Sequence, residues 1–227
     1  MIGGDRGLIC LVTDRRRLAG GATGGERLVD LVGAAARAGV DLVQVRERDL
    51  EARALADLVT RCVHATAGTV ARVVVNDRLD VALAAGAAGV HLRGDAPDVR
   101  RVRAMTPAGF LIGRSVHGVS EGVDLDTDGG PDYLLFGTVF PSTSKDRDHR
   151  VAGLGELERL VRLVRIPVLA IGGMTVGNAG AVAGTGAAGI AAISLFAACL
   201  DTGGHEGELA RVVAGVRRAF DTAGTVT

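Results

Sequence analysis

The sequence lacks an excess of charge of either sign. Its 227 residues include 26 Lys or Arg and 26 Asp or Glu. Without an overall basic field the chain is not expected to bind nucleic acid or an anionic membrane, so any recognition of phosphate must be local. Hydrophobic residues make up 48% of the chain and charged residues 23%, a composition that supplies a large core and argues against disorder.

Cysteines are few, and long apolar runs are missing. Cys10, Cys62 and Cys199 are widely separated, odd in number and form no CxxC pair. They are therefore predicted to be small buried hydrophobic side chains in a reducing compartment, rather than disulfide partners or metal ligands.

The apolar run near the N-terminus has only about six residues, which is too short for a signal peptide or a membrane span. We therefore expect a cytoplasmic protein. The sequence leaves the oligomeric state open, with a homo-oligomer as one alternative.

Lysine is nearly absent. Lys145 is the only lysine of the chain, and it follows Ser142, Thr143 and Ser144 at the end of an apolar run, FGTVFP. An ammonium group acts as a point charge on phosphate oxygens, and neighbouring hydroxyls add hydrogen-bond donors. A charged run over residues 146–150 follows, so a solvated surface loop is the alternative. Loops commonly carry functional residues, and the pattern is that of an anion-binding loop.

Eight short apolar runs alternate with segments of helical periodicity. The runs predicted as strands cover residues 8–13, 40–45, 72–75, 89–92, 110–113, 133–136, 167–171 and 189–193. Short buried strands alternating with amphipathic helices predict a parallel sheet. Eight such units without a linker predict closure into one (β/α)8 TIM barrel domain over residues 1–227, of the α/β class. The alternative is a doubly wound open sheet, which usually has fewer strands and a GxGxxG fingerprint that is missing here.

Polar residues follow the second predicted strand. In a barrel of this kind the active site lies at the carboxyl ends of the strands. Gln44, Arg46 and Arg48 alternate along the chain, and a period of two places them on one face. We expect them to converge at the mouth of the barrel, although Arg48 also fits the start of a charged loop.

Amide and carboxylate groups follow the third and fourth strands. Asn76 and Asp77 come at the end of the third, and Asp95 comes just after the fourth. These are oxygen ligands of the kind that hold Mg²⁺ beside a substrate phosphate. A helix N-cap is the alternative role for either aspartate.

The last two strands end in residues suited to phosphate. Gly172 and Gly173 follow the seventh strand, and Ile193 and Ser194 follow the eighth at the start of a helix. Backbone N–H groups at these two loops frequently bind phosphate in barrels, while a glycine pair is also ordinary turn chemistry. Together with Lys145 and the carboxylates, the pattern predicts two anion sites.

Motifs along the chain resemble those of the thiamine phosphate synthase and thiazole tautomerase superfamily. They are Q-x-R-x-(K/R), N-D-R-x-D, G-V-H-L with an aspartate just beyond it, G-x-S-x-H, P-(T/S)-x-(T/S)-K, A-I-G-G and A-I-S, in family order from Gln44 to Ser194. In a synthase, the resemblance implies that a pyrimidine diphosphate loses diphosphate and that a thiazole phosphate captures the resulting cation. Metal and cationic side chains would stabilise the leaving group.

The resemblance also implies a role for each matched position. The expected metal ligands for Mg²⁺ are Asp77 and Asp95, and the expected catalytic residues are Lys145, Ser115 and His117. The expected substrate-binding residues are Gln44, Arg46, Arg48, Asn76, Ser142, Ser144, Lys145, Gly172, Gly173, Ile193 and Ser194.

The chain departs from the synthase pattern at several positions. Arg48 stands where the family has Lys, and Arg93 and Gly94 stand where it has Gly-Gln. The RER and GRSVH segments resemble the thiazole tautomerase branch more closely, which would make His117 a proton-transfer group. The alternative is a histidine that orients a ligand by hydrogen bonding, since synthases often have histidine there too. A synthase is the preferred interpretation, because the tautomerase needs no Mg²⁺, yet the carboxylate pair and Lys145 are all present. A barrel that binds phosphorylated ligands without turnover is the third hypothesis.

Overall fold

Eight parallel strands pair in chain order, and the eighth pairs with the first. The structure, a computed structural model, describes residues 6–18, 25–127, 129–141, 151–201 and 205–223. The strands are β1 (Leu8–Val12), β2 (Leu42–Val45), β3 (Arg72–Asn76), β4 (Gly89–Leu92), β5 (Leu111–Val116), β6 (Tyr133–Gly137), β7 (Val168–Ile171) and β8 (Gly189–Ala192). The predicted closed barrel is confirmed, and the open-sheet alternative is wrong.

Helices follow the strands and surround the barrel. They are α1 (Gly25–Ala38), α2 (Ala52–Ala65), α3 (Leu79–Ala84), α4 (Val99–Ala104), α5 (Val119–Leu125), α6 (Gly153–Leu163), α7 (Ala179–Ala183), α8 (Ser194–Ala197) and α9 (His205–Ala223). Three-residue 3-10 helices cover Arg15–Arg17 and Val176–Asn178, and a four-residue one covers Ala198–Asp201. Helix α1 ends before Gly39, whose φ of +100° suits the glycine stop predicted there.

Alternating residues of the strands build two separate cores. In β1, Ile9 and Leu11 belong to the large cluster between strands and helices, whereas Leu8, Cys10 and Val12 belong to the smaller cluster inside the barrel. This alternation follows from the period of two along a strand. Both faces are buried, so the strands read as continuous apolar runs.

Strand β5 extends three residues beyond its predicted end. The prediction stopped at Gly113 because Arg114 and Ser115 looked like the start of a loop. In the structure the strand continues through Arg114 and Ser115, and both side chains form hydrogen bonds with neighbouring segments. Arg114 donates to the carbonyl oxygens of Gly94, Ala96 and Pro97 at 2.8–3.1 Å, while Ser115 contacts a buried histidine.

The three cysteines are buried thiols that form no disulfide, as predicted. Burial raises the pKa of Cys10 and of Cys62 to about 12, which suppresses the reactive thiolate. Among the helices in the described part of the chain, none is long and apolar enough to cross a membrane.

Candidate active site

The predicted site residues that the structure describes lie at or just beyond the carboxyl ends of the strands. Because all eight strands are parallel, these ends meet at one mouth of the barrel. The residues are Gln44, Arg46, Arg48, Asn76, Asp77, Asp95, Ser115, His117, Gly172, Gly173, Ile193 and Ser194. The loop prediction at Ser142, Ser144 and Lys145 lies outside the described residues.

Gln44 places an amide nitrogen inside the barrel without a hydrogen-bond partner. It lies two residues beyond Leu42, a member of the interior cluster, and is only 2% exposed. Its Nε2 finds no hydrogen-bond partner, the single such buried side-chain atom among the described residues. A buried donor without an acceptor costs about 1–3 kcal/mol. The Gln44 amide is therefore available to an acceptor atom that a ligand brings into the mouth.

Two arginines follow Gln44 on the loop after β2. Arg46 is half-buried and Arg48 is exposed in a turn. Burial, followed by the charge of Arg48, lowers the pKa of Arg46, so the two guanidinium groups are near enough to repel each other. An anion bound between them would relieve this repulsion.

Glu47, between these two arginines, is turned inward and ties the first two loops together. Its carboxylate accepts hydrogen bonds from the Thr13 hydroxyl at 2.7 Å and from the Arg15 backbone and guanidinium at 3.1–3.2 Å. Arg15 also forms a bidentate pair with Asp49 at 2.6 and 2.8 Å, and this contact lowers the pKa of Asp49 to about 2. The network fixes the loop that carries Arg46 and Arg48.

The carboxylates of Asp77 and Asp95 converge on one arginine. Arg93 donates its backbone N–H to Asp77 Oδ1 at 2.8 Å, and its Nε lies 2.8 Å from Asp77 Oδ2 and 3.3 Å from Asp95 Oδ1. Asn76 Nδ2 also donates to Asp77 Oδ2, at 2.9 Å. The closed barrel therefore brings the predicted pair of carboxylates within reach of a single cation.

Neither aspartate caps a helix in the structure. The N-cap residues of α3 and α4 are Arg78 and Asp98, so the alternative role proposed from the sequence is wrong for both. Asp77 has a φ of +59°, a left-handed conformation that aspartate tolerates better than most residues.

The donor set at this place suits Mg²⁺. Two carboxylates from neighbouring loops match the way in which Mg²⁺ is usually held, by one or two carboxylates together with substrate phosphates and water. Within the described ranges no group of three or more His, Cys, Asp and Glu could hold a metal ion. The two aspartates would therefore hold such an ion only with further oxygens from a ligand or water.

A buried polar network lies inside the barrel below the mouth. His91 Nδ1 is 3.2 Å from the hydroxyl of Tyr133, and its Nε2 is 2.8 Å from Ser115 Oγ. Burial lowers the pKa of His91 to about 3, so the ring is neutral at pH 7. A Cβ on Gly113 would lie 2.2–2.5 Å from atoms of Tyr133 and His91, which explains the glycine. The network fixes the position of the Ser115 hydroxyl.

His117 is exposed and oriented by a backbone carbonyl. Its Nδ1 lies 2.6 Å from the carbonyl oxygen of Gly137, which can only accept, so Nδ1 carries the proton. Its backbone N–H donates to Glu121 at 2.8 Å. A neutral ring then offers Nε2 as a hydrogen-bond acceptor or base.

The glycines after β7 allow the neighbouring loop to pack closely. Gly172 and Gly173 have φ values of +104° and +63°. A Cβ on Gly172 would lie 2.5 Å from Thr138, and one on Gly173 would lie 2.4 Å from the carbonyl oxygen of Pro141. Both positions therefore need glycine for backbone geometry and space.

The end of β8 meets the loop after β1. Ser194 is exposed at the first position of α8, and Arg17 Nη1 lies 3.4 Å from its hydroxyl oxygen. Asp14 holds the Arg17 Nε at 3.1 Å. A guanidinium group therefore reaches the place where the sequence predicted a phosphate.

Sequence reasoning missed four residues in or below this mouth: Arg17, Glu47, His91 and Tyr133. For three of them a local signal existed. Tyr133 is the only tyrosine, and His91 and Glu47 are polar residues within or beside strands that are otherwise apolar. Arg17 gave no such signal, because it is one of three consecutive arginines and its partner is 177 positions away in the chain.

Comparison with known proteins gives consistent results. A family profile described as thiamine monophosphate synthase matches residues 9–196. A thiamine-phosphate synthase of Roseiflexus castenholzii is 38% identical over 189 residues, covering 83% of this chain and 80% of that protein. One of Methanoculleus marisnigri is 39% identical over 170 residues, covering 75% and 80%.

A solved structure shares the whole architecture. The thiamine phosphate pyrophosphorylase of Pyrococcus furiosus superposes with a TM-score of 0.77 at 30% identity, covering 95% of this chain and 96% of that one. The expected resemblance is confirmed by both kinds of comparison.

Proposed function

This chain belongs to the thiamine monophosphate synthase family, and on that premise we propose that it is a transferase. It joins 4-amino-5-hydroxymethyl-2-methylpyrimidine diphosphate to a thiazole phosphate and releases diphosphate. One observation in the structure supports this proposal most. The mouth of the barrel holds the buried Gln44 amide, whose nitrogen has no hydrogen-bond partner. The same mouth holds the amide of Asn76 and the carboxylates of Asp77 and Asp95. Such a mouth suits a polar heterocycle that carries a phosphorylated arm.

The pyrimidine diphosphate would bind on the side of β2 and β3. Gln44 supplies a buried amide for the ring, with Asn76 beside it at the end of β3. Arg46 and Arg48 supply positive charge, which a diphosphate between them would satisfy. The hydroxyls of Ser142 and Ser144 and the ammonium group of Lys145 would complete this site, as donors to the departing phosphate oxygens.

Asp77 and Asp95 would hold the Mg²⁺ that this substrate class requires. Bound there, Mg²⁺ would supply positive charge to the diphosphate oxygens as negative charge develops on them. The protein's own contribution is to keep the two carboxylates at neighbouring strand ends, with Asp77 fixed by the backbone N–H of Arg93.

The thiazole phosphate would bind on the side of β7 and β8. Backbone N–H groups at Gly172, Gly173, Ile193 and Ser194 would receive its phosphate, and Arg17 adds a guanidinium group close to Ser194. The barrel thereby holds the thiazole ring nitrogen in line with the pyrimidine methylene carbon.

In the reaction the bond between that carbon and the diphosphate oxygen breaks, and the oxygen keeps the electron pair. The lone pair of the thiazole nitrogen then forms the new C–N bond, so the positive charge ends on the thiazolium ring of thiamine phosphate. Ser115, held by His91, lies at the strand end between the two substrate sides and would donate a hydrogen bond to the leaving diphosphate.

Incubation of the purified protein with both substrates tests the proposal. We expect thiamine phosphate and diphosphate to form when Mg²⁺ is present, and formation to stop when the metal is removed by chelation. A second incubation contains the substrate of the thiazole tautomerase branch. Turnover of that substrate alone would make the protein a tautomerase, and binding without turnover of either would make it a ligand-binding barrel. Both outcomes contradict the proposal.

Two variants separate the synthase from the tautomerase. Lys145→Ala should reduce synthase turnover by about two orders of magnitude or more, since lost transition-state electrostatics commonly have this effect. His117→Ala should have a much smaller effect on that reaction. A proton-transfer role for His117 would instead show as a loss of about 10²- to 10⁴-fold on the tautomerase substrate.

A further inference from the structure

The side chain of Arg93 contacts one carboxylate oxygen of each aspartate that would hold a metal ion. Its Nε lies 2.8 Å from Asp77 Oδ2 and 3.3 Å from Asp95 Oδ1. Asp77 Oδ2 already accepts a second hydrogen bond, from Asn76 Nδ2 at 2.9 Å. A carboxylate oxygen has about two lone-pair sites, so this atom cannot bind a divalent cation while Arg93 stays in place.

The loop around Arg93 is anchored, whereas the Arg93 side chain is partly exposed to solvent. Arg114 holds the carbonyl oxygens of Gly94 and Ala96, on either side of Asp95, and the backbone N–H of Arg93 holds Asp77 Oδ1. The side chain of Arg93 is 51% exposed, and that of Asp77 is 23% exposed. An exchange of cations at the carboxylates therefore needs only a rotation of the guanidinium group into solvent.

We propose that Arg93 is an internal counter-ion of the two carboxylates, which competes with the divalent cation and moves to the diphosphate when both bind. This inference rests on the proposed function for the identity of the diphosphate ligand. With Arg93 in place, the group formed by Arg93, Asp77 and Asp95 has a net charge of −1. A divalent cation that displaces Arg93 leaves this guanidinium group without its carboxylates and close to the newly bound positive charge, which is unfavourable. Diphosphate removes this penalty, so metal and diphosphate bind cooperatively.

The competition is measurable without turnover. Mn²⁺ serves as the probe, and the free ion is followed by electron paramagnetic resonance in titrations of the full-length protein. We expect Arg93→Gln and Arg93→Met to bind Mn²⁺ about tenfold more tightly than the parent protein, a change of about 1.4 kcal/mol. Two such variants guard against a folding defect in either, which circular dichroism would detect.

Matched controls assign the effect to the contact. Arg78→Gln removes the same charge from the loop after β3, where Arg78 pairs with Asp80 at 2.6 Å, and it should leave Mn²⁺ affinity unchanged. Asp77→Asn should weaken Mn²⁺ binding in both backgrounds. An equal gain of Mn²⁺ affinity in Arg78→Gln and Arg93→Gln would show that any lost positive charge on this surface has the same effect, and it would overturn the proposal. Unchanged Mn²⁺ affinity in both Arg93 variants would also overturn it.

Inorganic diphosphate provides the second arm. In the parent protein it should raise Mn²⁺ affinity by about 5- to 150-fold, the usual range of coupling between two ligands, and the gain should be smaller in Arg93→Gln. Equal gains would contradict movement of Arg93 to the diphosphate. These titrations are separate from synthase activity: a protein that makes no thiamine phosphate but shows both effects would contradict the proposed function alone.

Discussion

Aspartate–arginine pairs occur at both ends of the barrel, but they have different roles at the two ends. At the amino ends of the strands, Asp41 precedes β2 and accepts the backbone N–H of Ile9 at 2.7 Å together with Arg217 at 2.6 Å. Asp132 precedes β6 in the same manner and accepts the backbone N–H of Ile112 at 2.7 Å. Each carboxylate joins a strand to its neighbour.

At the carboxyl ends the carboxylates are held by a cation that is more exposed, since the side chain of Arg93 is 51% exposed and that of Arg217 is 14% exposed. Asp77 and Asp95 share one Arg93, and their side chains are 23% and 74% exposed, against 11% for Asp41. Gln44 even leaves a buried nitrogen without a partner. An aspartate whose hydrogen bonds are completed within the protein stabilises the fold, whereas one held loosely by an exposed cation is available to a ligand.

Loss of Asp41 tests the first half of this comparison and should have the largest effect. Asp41→Ala leaves the guanidinium of Arg217, 14% exposed, without its carboxylate partner, in contact only with the carbonyl oxygens of Gly7 and Gly39. Removal of one member of a buried pair costs about 3–5 kcal/mol of unfolding free energy. Urea denaturation measures this, and turnover per folded molecule should not change. A loss below about 1 kcal/mol, typical of a surface pair, would contradict the structural role.

Loss of Asp77 tests the other half. Asp77→Asn should reduce the rate of thiamine phosphate formation by about 10²-fold or more, because the metal ion that would stabilise negative charge on the departing diphosphate is lost. The KM for the thiazole phosphate should change little, since that ligand binds on the side of β7 and β8. Steady-state kinetics separate the two effects, and Asp80→Asn, in an exposed pair with Arg78, is the control. A rise in the KM for the thiazole phosphate as large as the fall in the rate would count against two separate anion sites.

A third prediction concerns His91, midway between the two ends. Its folded pKa of about 3 lies below the ordinary value of about 6.5, so between these pH values the unfolded state binds a proton that the folded state refuses. Stability therefore falls as pH decreases through this window, by up to about 1.4 kcal/mol per pH unit.

Denaturation at two pH values measures the effect. Between pH 7 and pH 5 the parent protein should lose about 2 kcal/mol more than His91→Gln. Only the difference between the two proteins is diagnostic, because carboxylates titrate equally in both. Parallel pH profiles would show that the pKa of His91 is the same in the folded and unfolded states, and would contradict the effect of burial.

The smallest expected effect is at Arg17. Arg17→Ala should raise the KM for the thiazole phosphate by about tenfold, roughly what one lost charged hydrogen bond costs. The KM for the pyrimidine diphosphate should stay the same, and the unphosphorylated thiazole alcohol should bind both proteins equally. Arg16→Ala is the matched control, because Arg16 contacts Asp14 but not Ser194. An equal effect on the alcohol would exclude a contact with phosphate.

The sequence by itself determined the architecture and most of the mouth. Buried strands of a parallel barrel appear as apolar runs because both of their faces are covered, and eight such runs between helical segments predict closure. Candidate residues followed from one rule, that the carboxyl ends of parallel strands meet. This rule needs only the order of residues such as Gln44, Asp77 and Ser194 along the chain.

Only the tertiary structure decided which partners these residues have. Arg17 meets Ser194 because β1 pairs with β8, and His91 meets Ser115 and Tyr133 because the registers of β4, β5 and β6 place them side by side. Aspartates before and after strands look alike in the sequence. Hydrogen bonds between distant segments depend on closure and register, which are set by the packing of the whole barrel and by no local run of residues.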